Sequence, residues 1–347
     1  MLLSALHIAH LLRCPRCKSP LDGFGDGAQP FACGDARCEL SKKSFPVIAG
    51  QPVLLDFDHS VIDQKHFRAS TGASTVKRDP MRASPKARIQ RALLGDNPAA
   101  KRAGERVLAD VCARSAAPIV LVIGGGERGS GTDALYAHER VGLIGSDVYV
   151  SENVTLVADG HQLPLDDQCV DAVWIQAVLE HVLDPGKVVA EIHRVLKPHG
   201  LVYADTPFMQ QVHEGAHDFT RFTLSGHRWL FRSFELVDAG YAGGPGVALN
   251  WSIRYFIRAL TGSEKLGALA GLAFFWLRFF DRWAPGRGAA DAASGVFFYG
   301  RRSEGVLTPK EAIAFYQQQT ALIARHPRDA RPPADGVGAI REVQRRS

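Results

Sequence analysis

Between Pro118 and about Gly240, short apolar segments alternate with stretches of helical periodicity, and this alternation constrains the fold more than any other feature of the sequence. The apolar segments read IVLVIGG, RVGLIGSD, VTLVAD, VDAVWIQAV and GLVYADTPF. Strands that alternate with helices form parallel sheets, because each helix returns the chain to the edge where the previous strand began. The sequence therefore predicts an α/β domain with a largely parallel sheet.

One helix of this domain has clear boundary signals. Asp184 can cap its first turn, Pro185 suits its first position, and the sequence KPHG at 197–200 stops it before the next strand. We predict a helix from Pro185 to Leu196.

The chain divides into four stretches. A Cys-rich head ends in the strand-like FPVIAGQPVLLDF, and a basic connector containing ARIQRALL and AGERVLADVCA at helical spacing leads into the sheet. An aromatic insertion follows FELVDAGYAGG, and SGVFFYGRR then alternates like an edge strand, before a tail with one further helix, PKEAIAFYQQQTALIARH. The predicted boundaries are 1–57 for the head, 58–117 for the connector, 118–303 for the α/β domain with its insertion at about 246–293, and 304–347 for the tail.

A glycine-rich turn directly follows the first apolar segment. In LVIGGGERGSG, Gly124, Gly126 and Gly129 have G-x-G-x-x-G spacing, and a turn without Cβ atoms lets the backbone approach a ligand closely. Asp147 ends the next predicted strand, where a carboxylate can accept hydrogen bonds from both hydroxyls of a ribose. These residues predict a nucleotide site, which a dehydrogenase would share; ordinary turn residues of an α/β sheet are the alternative.

Three later segments narrow the class. VADGHQLPL, CVDAVWIQAVLEHV and GKVVAEIHRVLKPHGLVYADTP together resemble the class I methyltransferases of the large family that acts on small molecules, lipids and glycans. The resemblance covers about residues 118–240. It implies a Rossmann-like sheet of seven strands and S-adenosyl-L-methionine as the cofactor.

The same resemblance assigns residues to parts of the cofactor. The acidic residue that ends the third strand, Asp159, would lie beside the adenine amino group, and Gln176 would face the methionine portion. Many family members keep a small residue at the position of Glu127. Here Glu127 could instead pair with the ammonium group of S-adenosyl-L-methionine. The predicted cofactor-binding residues are Gly124, Gly126, Glu127, Gly129, Asp147, Asp159, Gly160, His161, Gln176, Glu180 and His181.

A polar cluster, VHEGAHDFTRFT, follows the fifth predicted strand, where the sites of α/β proteins are found. A closely similar segment occurs in methyltransferases from gene clusters for cell-surface glycans and lipids. We therefore predict His217 or His213 as a general base and Arg221 as an anchor for a small-molecule, lipid or glycan acceptor. The alternatives are a salt-bridged loop in which Asp218 pairs with Arg221, and metal binding by the two histidines.

The head contains four of the six cysteines. Cys14 and Cys17 form a C-x-x-C pair, while Cys33 and Cys38 are separated by four residues. Four thiolates can close a tetrahedral zinc site, and a closed site is structural because it leaves no position for substrate. Free thiols in a small β unit are the alternative, since the second spacing is wider than usual.

The sequence around these cysteines carries a second resemblance. LLRCPRCKSPL followed by FPVIAGQPVLL resembles the small zinc-ribbon proteins that activate tRNA methyltransferases, over residues 11–57. It implies an adaptor module that docks a protein partner or presents a substrate to the enzyme.

Charge and hydropathy bear on location and partners. Twelve of the basic residues, against four acidic ones, lie between Lys65 and Arg114, where they could contact phosphates or form a solvated face. The opening MLLSALHIAHLL lacks a basic start and a cleavage site, and clustered cysteines suit a reducing compartment, so we predict a cytoplasmic protein.

The aromatic insertion, Trp251 to Trp283, adds a membrane hypothesis. Its apolar run LGALAGLAFFWL has twelve residues, too few for a span that needs about twenty. Aromatic residues interleaved with arginines could lie peripherally in a membrane interface, line an acceptor pocket, or form a cap packed on the sheet.

Three functions remain open from the sequence alone. The first is a methyltransferase for a small-molecule, lipid or glycan acceptor. The second is a tRNA or protein methyltransferase that uses the ribbon as an adaptor, although the segment after the fourth strand reads WIQAVLEH and lacks an Asn-Pro-Pro-Tyr signature, which makes nucleic acid the less favoured partner. The third is a scaffold that keeps the fold without catalysis.

Overall fold

The computed structural model describes residues 1–23, 31–74, 97–284 and 286–323. The predicted helical segment ARIQRALL and the end of the tail lie outside these residues. The strands are β1 (Leu21–Asp22), β2 (Ala32–Cys33), β3 (Val47–Ile48), β4 (Gln51–Leu54), β5 (Ile119–Ile123), β6 (Gly142–Asp147), β7 (Leu156–Ala158), β8 (Val170–Gln176), β9 (Leu196–Pro207), β10 (Phe234–Gly243) and β11 (Gly295–Arg302). The α-helices are α1 (Gln64–Ala69), α2 (Pro98–Arg114), α3 (Asp133–Ala137), α4 (Pro185–Val195), α5 (Leu224–Leu230), α6 (Pro245–Thr261), α7 (Glu264–Ala273), α8 (Gly286–Asp291) and α9 (Pro309–Ile323).

The main sheet has the order β10-β11-β9-β8-β5-β6-β7-β4-β3. The six adjacent strands β9-β8-β5-β6-β7-β4 pair in parallel. β11 is antiparallel to both of its neighbours, β9 and β10. The chain runs outward on one side from β5 to β7 and then returns to place β8 on the other side of β5. A crevice therefore opens beyond the carboxyl ends of β5 and β8, where ligands bind in open α/β sheets. The predicted α/β class with a largely parallel sheet is confirmed.

The predicted number of seven strands is wrong, because the head adds two strands to the sheet. Residue Val53 of β4 pairs in parallel with Val157 of β7, and β3 pairs with β4 across a tight turn at Ala49 and Gly50, both with positive φ. Without β4, one side of β7 would present unpaired backbone N–H and C=O groups. FPVIAGQPVLLDF is thus the hairpin that covers this edge.

The predicted edge position of SGVFFYGRR is also wrong. β11 lies between β9 and β10, and β10 forms the edge. Phe298 and Tyr299, which point to opposite faces, are both buried, and Phe298 stacks on Phe231 at 4.7 Å between ring centroids. The strand is covered on both faces, so its alternation does not mark a solvent-facing side.

The Cys-rich head packs directly against the sheet. Leu12 and Phe45 of the head belong to the same hydrophobic core as Leu121 of β5. Lys18, which follows the first cysteine pair, donates from Nζ to Glu191 of α4 at 2.8 Å. The head and the α/β domain therefore share one core.

Helix predictions in the α/β domain agree with the structure. The side chain of Asp184 accepts a hydrogen bond of 3.0 Å from the backbone N–H of Lys187, and α4 ends at Val195, one residue before the predicted end. α2 includes AGERVLADVCA, and Asn97 caps it by accepting from the N–H of Ala100.

The insertion lies between β10 and β11, as predicted. It consists of α6, α7, a 3-10 helix at Phe275–Arg282, and α8. Asp281 accepts hydrogen bonds from the N–H groups of Gly246 and Val247, so the end of the 3-10 helix caps the start of α6. Among the described helices, none is long and apolar enough to cross a membrane.

Candidate functional site

The glycine-rich turn closes tightly over the ends of β6 and β8. Gly124 has φ +74°, and a Cβ atom there would lie 2.2 Å from Val178 Cγ2. A Cβ at Gly126 would lie 2.7 Å from Asp147 Oδ2, which accepts a 2.9 Å hydrogen bond from the Gly126 N–H. The other carboxylate oxygen of Asp147 accepts from the Val148 N–H at 2.7 Å. Two backbone donors thus orient Asp147, and side chains at either glycine would break this arrangement.

The third glycine meets the end of β8. A Cβ at Gly129 would lie 2.1 Å from Gln176 Oε1, which is buried and has no hydrogen-bond partner among the described residues. Gln176 Nε2 donates to Asp205 Oδ2 at 2.9 Å. Asp205 also accepts from Tyr203 and Asn97, yet complete burial raises its pKa to about 6. The amide of Gln176 is thereby held with its oxygen towards the glycine loop.

Asp159 follows β7 and is held from two sides. Its Oδ1 accepts from the backbone N–H and from Nδ1 of His161, at 2.9 and 2.6 Å, and its Oδ2 accepts from Ser60 Oγ at 2.6 Å. Burial would raise the pKa of Asp159, but these hydrogen bonds outweigh burial and lower it. Nε2 of His161 accepts from the Asp184 N–H at 3.1 Å, and Gly160 lies in the same short turn.

The residues predicted to bind a cofactor thus lie at one end of the sheet. The glycine loop, which includes Glu127, follows β5; Asp147 ends β6; Asp159 follows β7; and Gln176 ends β8. Sequence reasoning missed three polar residues that hold them, namely Ser60, Asn97 and Asp205. Of these, only Asp205 had a signal, an acidic residue near the end of a predicted strand; Ser60 and Asn97 come from distant segments.

A second group combines Glu180 and His181, which follow Gln176 closely in the chain, with the predicted bases from the loop after β9. Glu180 is fully buried, and burial raises its pKa to about 8. Nδ1 of His181 donates to the backbone oxygen of His217 at 2.8 Å, and burial lowers the pKa of His181. The His181 ring meets the His213 ring edge to face, at 4.9 Å between centroids. The structure therefore brings His181 and His213 together, while His217 contributes a backbone contact.

Arg221 and Asp218 organise the loop that carries these histidines. Asp218 accepts two hydrogen bonds from the guanidinium of Arg221. Burial alone would raise the pKa of Asp218, but the guanidinium lowers it to about 2. The remaining Arg221 N–H groups donate to backbone oxygens of Gln210, Gln211 and Thr220, so all five are engaged. This is the geometry of a salt-bridged loop; an acceptor anchored by Arg221 would have to displace one of these bonds.

The four cysteines of the head converge. Sγ of Cys14 lies 3.9 Å from that of Cys38, Sγ of Cys17 lies 3.3 Å from that of Cys33, and all four sulfur atoms are within 4.8 Å of one another. A zinc ion with Zn–S bonds of about 2.3 Å has sulfur atoms roughly 3.8 Å apart at the corners of a tetrahedron. The cluster therefore fits a four-thiolate metal site.

The strand order and the largely parallel pairing define a Rossmann-like α/β domain. Residues 137–204, which include Asp147, Asp159, Gln176 and Glu180, match the methyltransferase domain family. This match assigns the central part of the α/β domain to a methyltransferase-type fold.

Two curated proteins are similar over part of the chain. The ubiquinone/menaquinone biosynthesis C-methyltransferase of Acidiphilium cryptum strain JF-5 is 28% identical over 116 residues, which cover 33% of this chain and 42% of that protein. An uncharacterized 37.1 kDa protein in transposon TN4556 of Streptomyces fradiae is 41% identical over 51 residues, 15% of each chain. The chain thus spans less than half the length of the curated relatives it matches.

Solved structures with related folds are distant. One is the phosphoethanolamine N-methyltransferase 2 of Haemonchus contortus, crystallised with phosphomonomethylethanolamine and S-adenosylhomocysteine (TM-score 0.41, 15% identity, 65% of this chain and 58% of that chain). Another is a complex between the Haloferax volcanii Trm112 methyltransferase activator and a methyltransferase (TM-score 0.39, 17% identity, 67% and 100%). At such values these likenesses identify neither a cofactor nor an acceptor.

Proposed function

We propose that this protein is a methyltransferase that uses S-adenosyl-L-methionine and acts on a small-molecule, lipid or glycan acceptor. The observation that carries the proposal is the glycine loop closed over Asp147 at the crevice between β5 and β8, within a domain whose central segment matches the methyltransferase family. The cofactor supplies an activated methyl group on a sulfonium. The protein therefore has mainly to position the acceptor against that methyl group and to exclude water.

The polar groups around the crevice fit the parts of this cofactor. Asp147 would accept hydrogen bonds from the ribose hydroxyls. The buried oxygen of Gln176, without a donor among the described residues, would accept from the ammonium of the methionine portion, where Glu127 adds negative charge. Asp159, together with Gly160 and His161, would lie beside the adenine.

In this proposal, the histidine group would lie where the acceptor meets the methyl donor. If the acceptor is a hydroxyl or a protonated amine, its proton has to leave, and a histidine within hydrogen-bond reach can take it. His213 and His217 are our candidates for this base. Arg221, through its five hydrogen bonds, would hold the loop that presents them and so act as a positioning residue.

Calorimetric titration of the zinc-replete protein with S-adenosylmethionine, S-adenosylhomocysteine and NAD tests the cofactor. We expect both sulfur nucleotides to bind and NAD not to bind. Asp147→Ala should abolish binding, whereas Asp167→Ala, which changes an exposed carboxylate outside the crevice, should bind like the wild type. Binding of NAD alone would point to a dehydrogenase, and binding of none of the three would leave the non-catalytic scaffold. A tRNA or protein methyltransferase would bind the cofactor but methylate only those acceptors.

We further propose that the insertion places the enzyme on a membrane surface, on the basis of how α7 packs. Its two buried residues are Gly267 and Gly271, and Asn250 of α6 donates to the Gly271 oxygen at 2.9 Å. Small residues at a four-residue interval bring two helices close together, as they do in membranes. Leu269, on the outward side of α7, is 61% exposed, so the helix buries its glycines and presents leucine to its surroundings.

Other apolar side chains extend this surface. Phe256 and Trp283 are 62% and 64% exposed. Trp276 and Phe280, and Phe280 and Trp283, are in ring contact at 5.9 and 5.8 Å between centroids, and clusters of exposed apolar residues mark interaction sites. We name the exposed residues of the insertion the apolar face: Leu249, Phe256, Leu260, Leu266, Leu269, Leu272, Phe274, Trp276, Phe279, Phe280 and Trp283.

Charge favours an anionic lipid surface as the occupant. Between Trp251 and Trp283 there are five Lys or Arg residues against two Asp or Glu residues. One of these acids, Asp281, is engaged in capping α6. Aromatic residues mixed with arginines suit the headgroup region of a bilayer, where arginine meets lipid phosphate.

The insertion also contacts the loop that follows β9. Tyr255 of α6 donates to the backbone oxygen of Val212 at 2.8 Å, and Gln211 donates to Ser252 at 3.2 Å. The apolar face is therefore joined to the segment that carries His213. This connection favours a lipid-linked acceptor among the acceptors considered above.

A further inference from the structure

Glu180 is a buried carboxyl group without a hydrogen-bond donor among the described residues. Neither of its carboxylate oxygens accepts a hydrogen bond from the described residues, and its side chain is completely buried. Nε2 of His181 lies 3.6 Å from Oε1, which is beyond hydrogen-bond distance. Burying an uncompensated carboxylate is costly, so such groups are normally protonated, paired with a cation or bound to a metal.

The hydrogen bonds of His181 fix which of its nitrogens faces Glu180. Nδ1 lies 2.8 Å from the backbone oxygen of His217, and a carbonyl oxygen only accepts, so Nδ1 carries the proton. In the neutral ring, Nε2 then carries the lone pair and lies 3.6 Å from Oε1 of Glu180. Two acceptor atoms facing each other need a cation or a proton between them.

His213 completes the group in the same way. Its Nδ1 lies 3.3 Å from the backbone oxygen of Gln211 and 3.4 Å from Asp218, so both neighbours favour a proton on Nδ1 and a free lone pair on Nε2. Histidines that bind metals almost always donate their other ring N–H to a carbonyl or a carboxylate. Both histidines here have that second contact.

We propose that Glu180, His181 and His213 bind a divalent transition-metal ion of the zinc or cobalt type. One ligand atom from each residue lies within 4.8 Å of the other two. Ligand atoms around a zinc ion at about 2.1 Å are roughly 3.4 Å apart, so no pair of ligand atoms would have to approach by more than about 1.4 Å on binding. Two imidazoles and one carboxylate favour such ions over magnesium or calcium, which prefer oxygen ligands.

The loop geometry supports a site that holds its shape before the metal arrives. Backbone N–H groups of Phe219 and Thr220 donate to the backbone oxygen of Glu180 at 2.8 and 3.2 Å. The Asp218 carboxylate, clamped by Arg221, accepts from the His213 N–H at 2.9 Å. The two segments that carry the ligands are therefore joined by backbone hydrogen bonds.

Three protein ligands leave coordination positions open, which distinguishes this group from the closed cysteine site. A metal here could bind an oxygen atom of the acceptor and make its hydroxyl proton easier to remove. Because His213 would then be a metal ligand, His217 would remain as the candidate base. This consequence rests on the proposed function, whereas metal binding itself does not.

The test is a titration with cobalt(II), followed by visible absorption, of protein loaded with one zinc ion per chain, the amount that fills the four-cysteine site. We expect one additional cobalt ion per chain, with a spectrum of nitrogen and oxygen ligands and no thiolate-to-cobalt band. Glu180→Gln, which keeps the side-chain volume, and His213→Asn should each weaken binding at least tenfold. Glu214→Gln, a neutralised carboxylate in the same loop, should bind cobalt like the wild type, and thermal unfolding would confirm that each variant is folded.

A wild-type protein that takes up no cobalt or zinc beyond the cysteine site would overturn the proposal. So would equal binding by the two ligand variants and the wild type. Titration of the His213→Asn variant with S-adenosylhomocysteine separates this inference from the proposed function. If the variant loses cobalt binding but retains nucleotide binding, the metal site is supported. If the wild type fails to bind the nucleotide, the proposed methyltransferase function is contradicted and the metal-site proposal is unaffected.

Discussion

Ser60 donates a 2.6 Å hydrogen bond to Asp159, the carboxylate predicted to lie beside the adenine. Ser60 belongs to the segment that leaves the Cys-rich head, ninety-nine residues away from Asp159 in the chain. This bond adds to the strand pairing of β4 with β7, which directly precedes Asp159. The head is thus built into the wall of the predicted cofactor site, which an independent adaptor domain would not be.

Replacing Ser60 by alanine should therefore weaken cofactor binding although Ser60 lies outside the glycine loop. The change leaves one oxygen of a buried carboxylate without its donor, and a lost hydrogen bond of this kind costs about 0.5–1.5 kcal/mol, or roughly two- to tenfold in affinity. Calorimetry with S-adenosylhomocysteine measures the effect. Ser41→Ala is the control, because the only side-chain bond of Ser41 among the described residues is an exposed one of 3.5 Å to the Ala36 oxygen, and this variant should bind S-adenosylhomocysteine like the wild type. Equal affinities of the two variants would contradict the coupling between Ser60 and the cofactor site.

The cysteine cluster should matter for the stability of the whole described fold. Because the head shares a core with β5 and covers β7, loss of the metal should open both regions together. Cys14→Ser should lower the zinc content by about one ion per chain relative to the wild type and reduce the melting temperature by roughly 10 °C, the shift expected for several kcal/mol in a domain of this size.

Elemental analysis and thermal unfolding measure the two effects of the cysteine change. Cys112→Ser is the matched control, since Cys112 lies in α2 outside the cluster and should retain both zinc and stability. A normal melting temperature in zinc-free protein would show that the head is stable without its metal.

Much of the α/β domain was predictable from local patterns. The helix start at Asp184 and Pro185 follows from capping chemistry that acts within one turn, and the structure confirms it. The number of strands and the position of β11 were not predictable, because both depend on pairing between distant segments. Nothing in SGVFFYGRR indicates whether FELVDAGYAG will lie beside it, and nothing in FPVIAGQPVLLDF indicates that β7 will be its partner.

The candidate functional site likewise contains contacts that the sequence could predict and contacts that it could not. G-x-G-x-x-G spacing and a following acid assigned Gly126 and Asp147 to one site, and in the structure the Gly126 N–H donates to Asp147, because adjacent parallel strands bring their carboxyl ends together. The role of Asn97 was not predictable, since its contact with Asp205 joins residues separated by 108 positions. Arg221 carries a charge that the sequence alone could assign to an acceptor, whereas its five partners are mostly backbone oxygens that no sequence pattern displays.

Asp205 should make the stability of the protein depend on pH. Its pKa is raised to about 6 by burial, above the value near 4 expected in the unfolded chain. The folded state therefore binds the proton more tightly, and stability from this group is complete below pH 4 and lost as the pH rises towards 6. The free energy of unfolding of the wild type, measured relative to Asp205→Asn between pH 4 and pH 7, should fall by at most about 3 kcal/mol. A difference that is constant with pH, or that grows as the pH rises, would contradict the buried-carboxyl account.

The apolar face should bind vesicles that contain anionic lipid. Replacing Leu266, Leu269 and Leu272 by serine removes exposed apolar area without touching the glycines that pack against α6. If each leucine contributes roughly 1 kcal/mol on insertion, the triple variant should bind phosphatidylglycerol vesicles at least about tenfold more weakly in a sedimentation assay. Ile313→Ser, at an exposed position on α9, is the matched control and should bind like the wild type.

Added salt should weaken wild-type binding, because the arginines of the insertion contribute by charge. If the wild-type protein stays in the supernatant with every vesicle, or if the triple change only converts a dimer into a monomer, then a second copy of the chain or another partner covers this face and the membrane proposal is wrong.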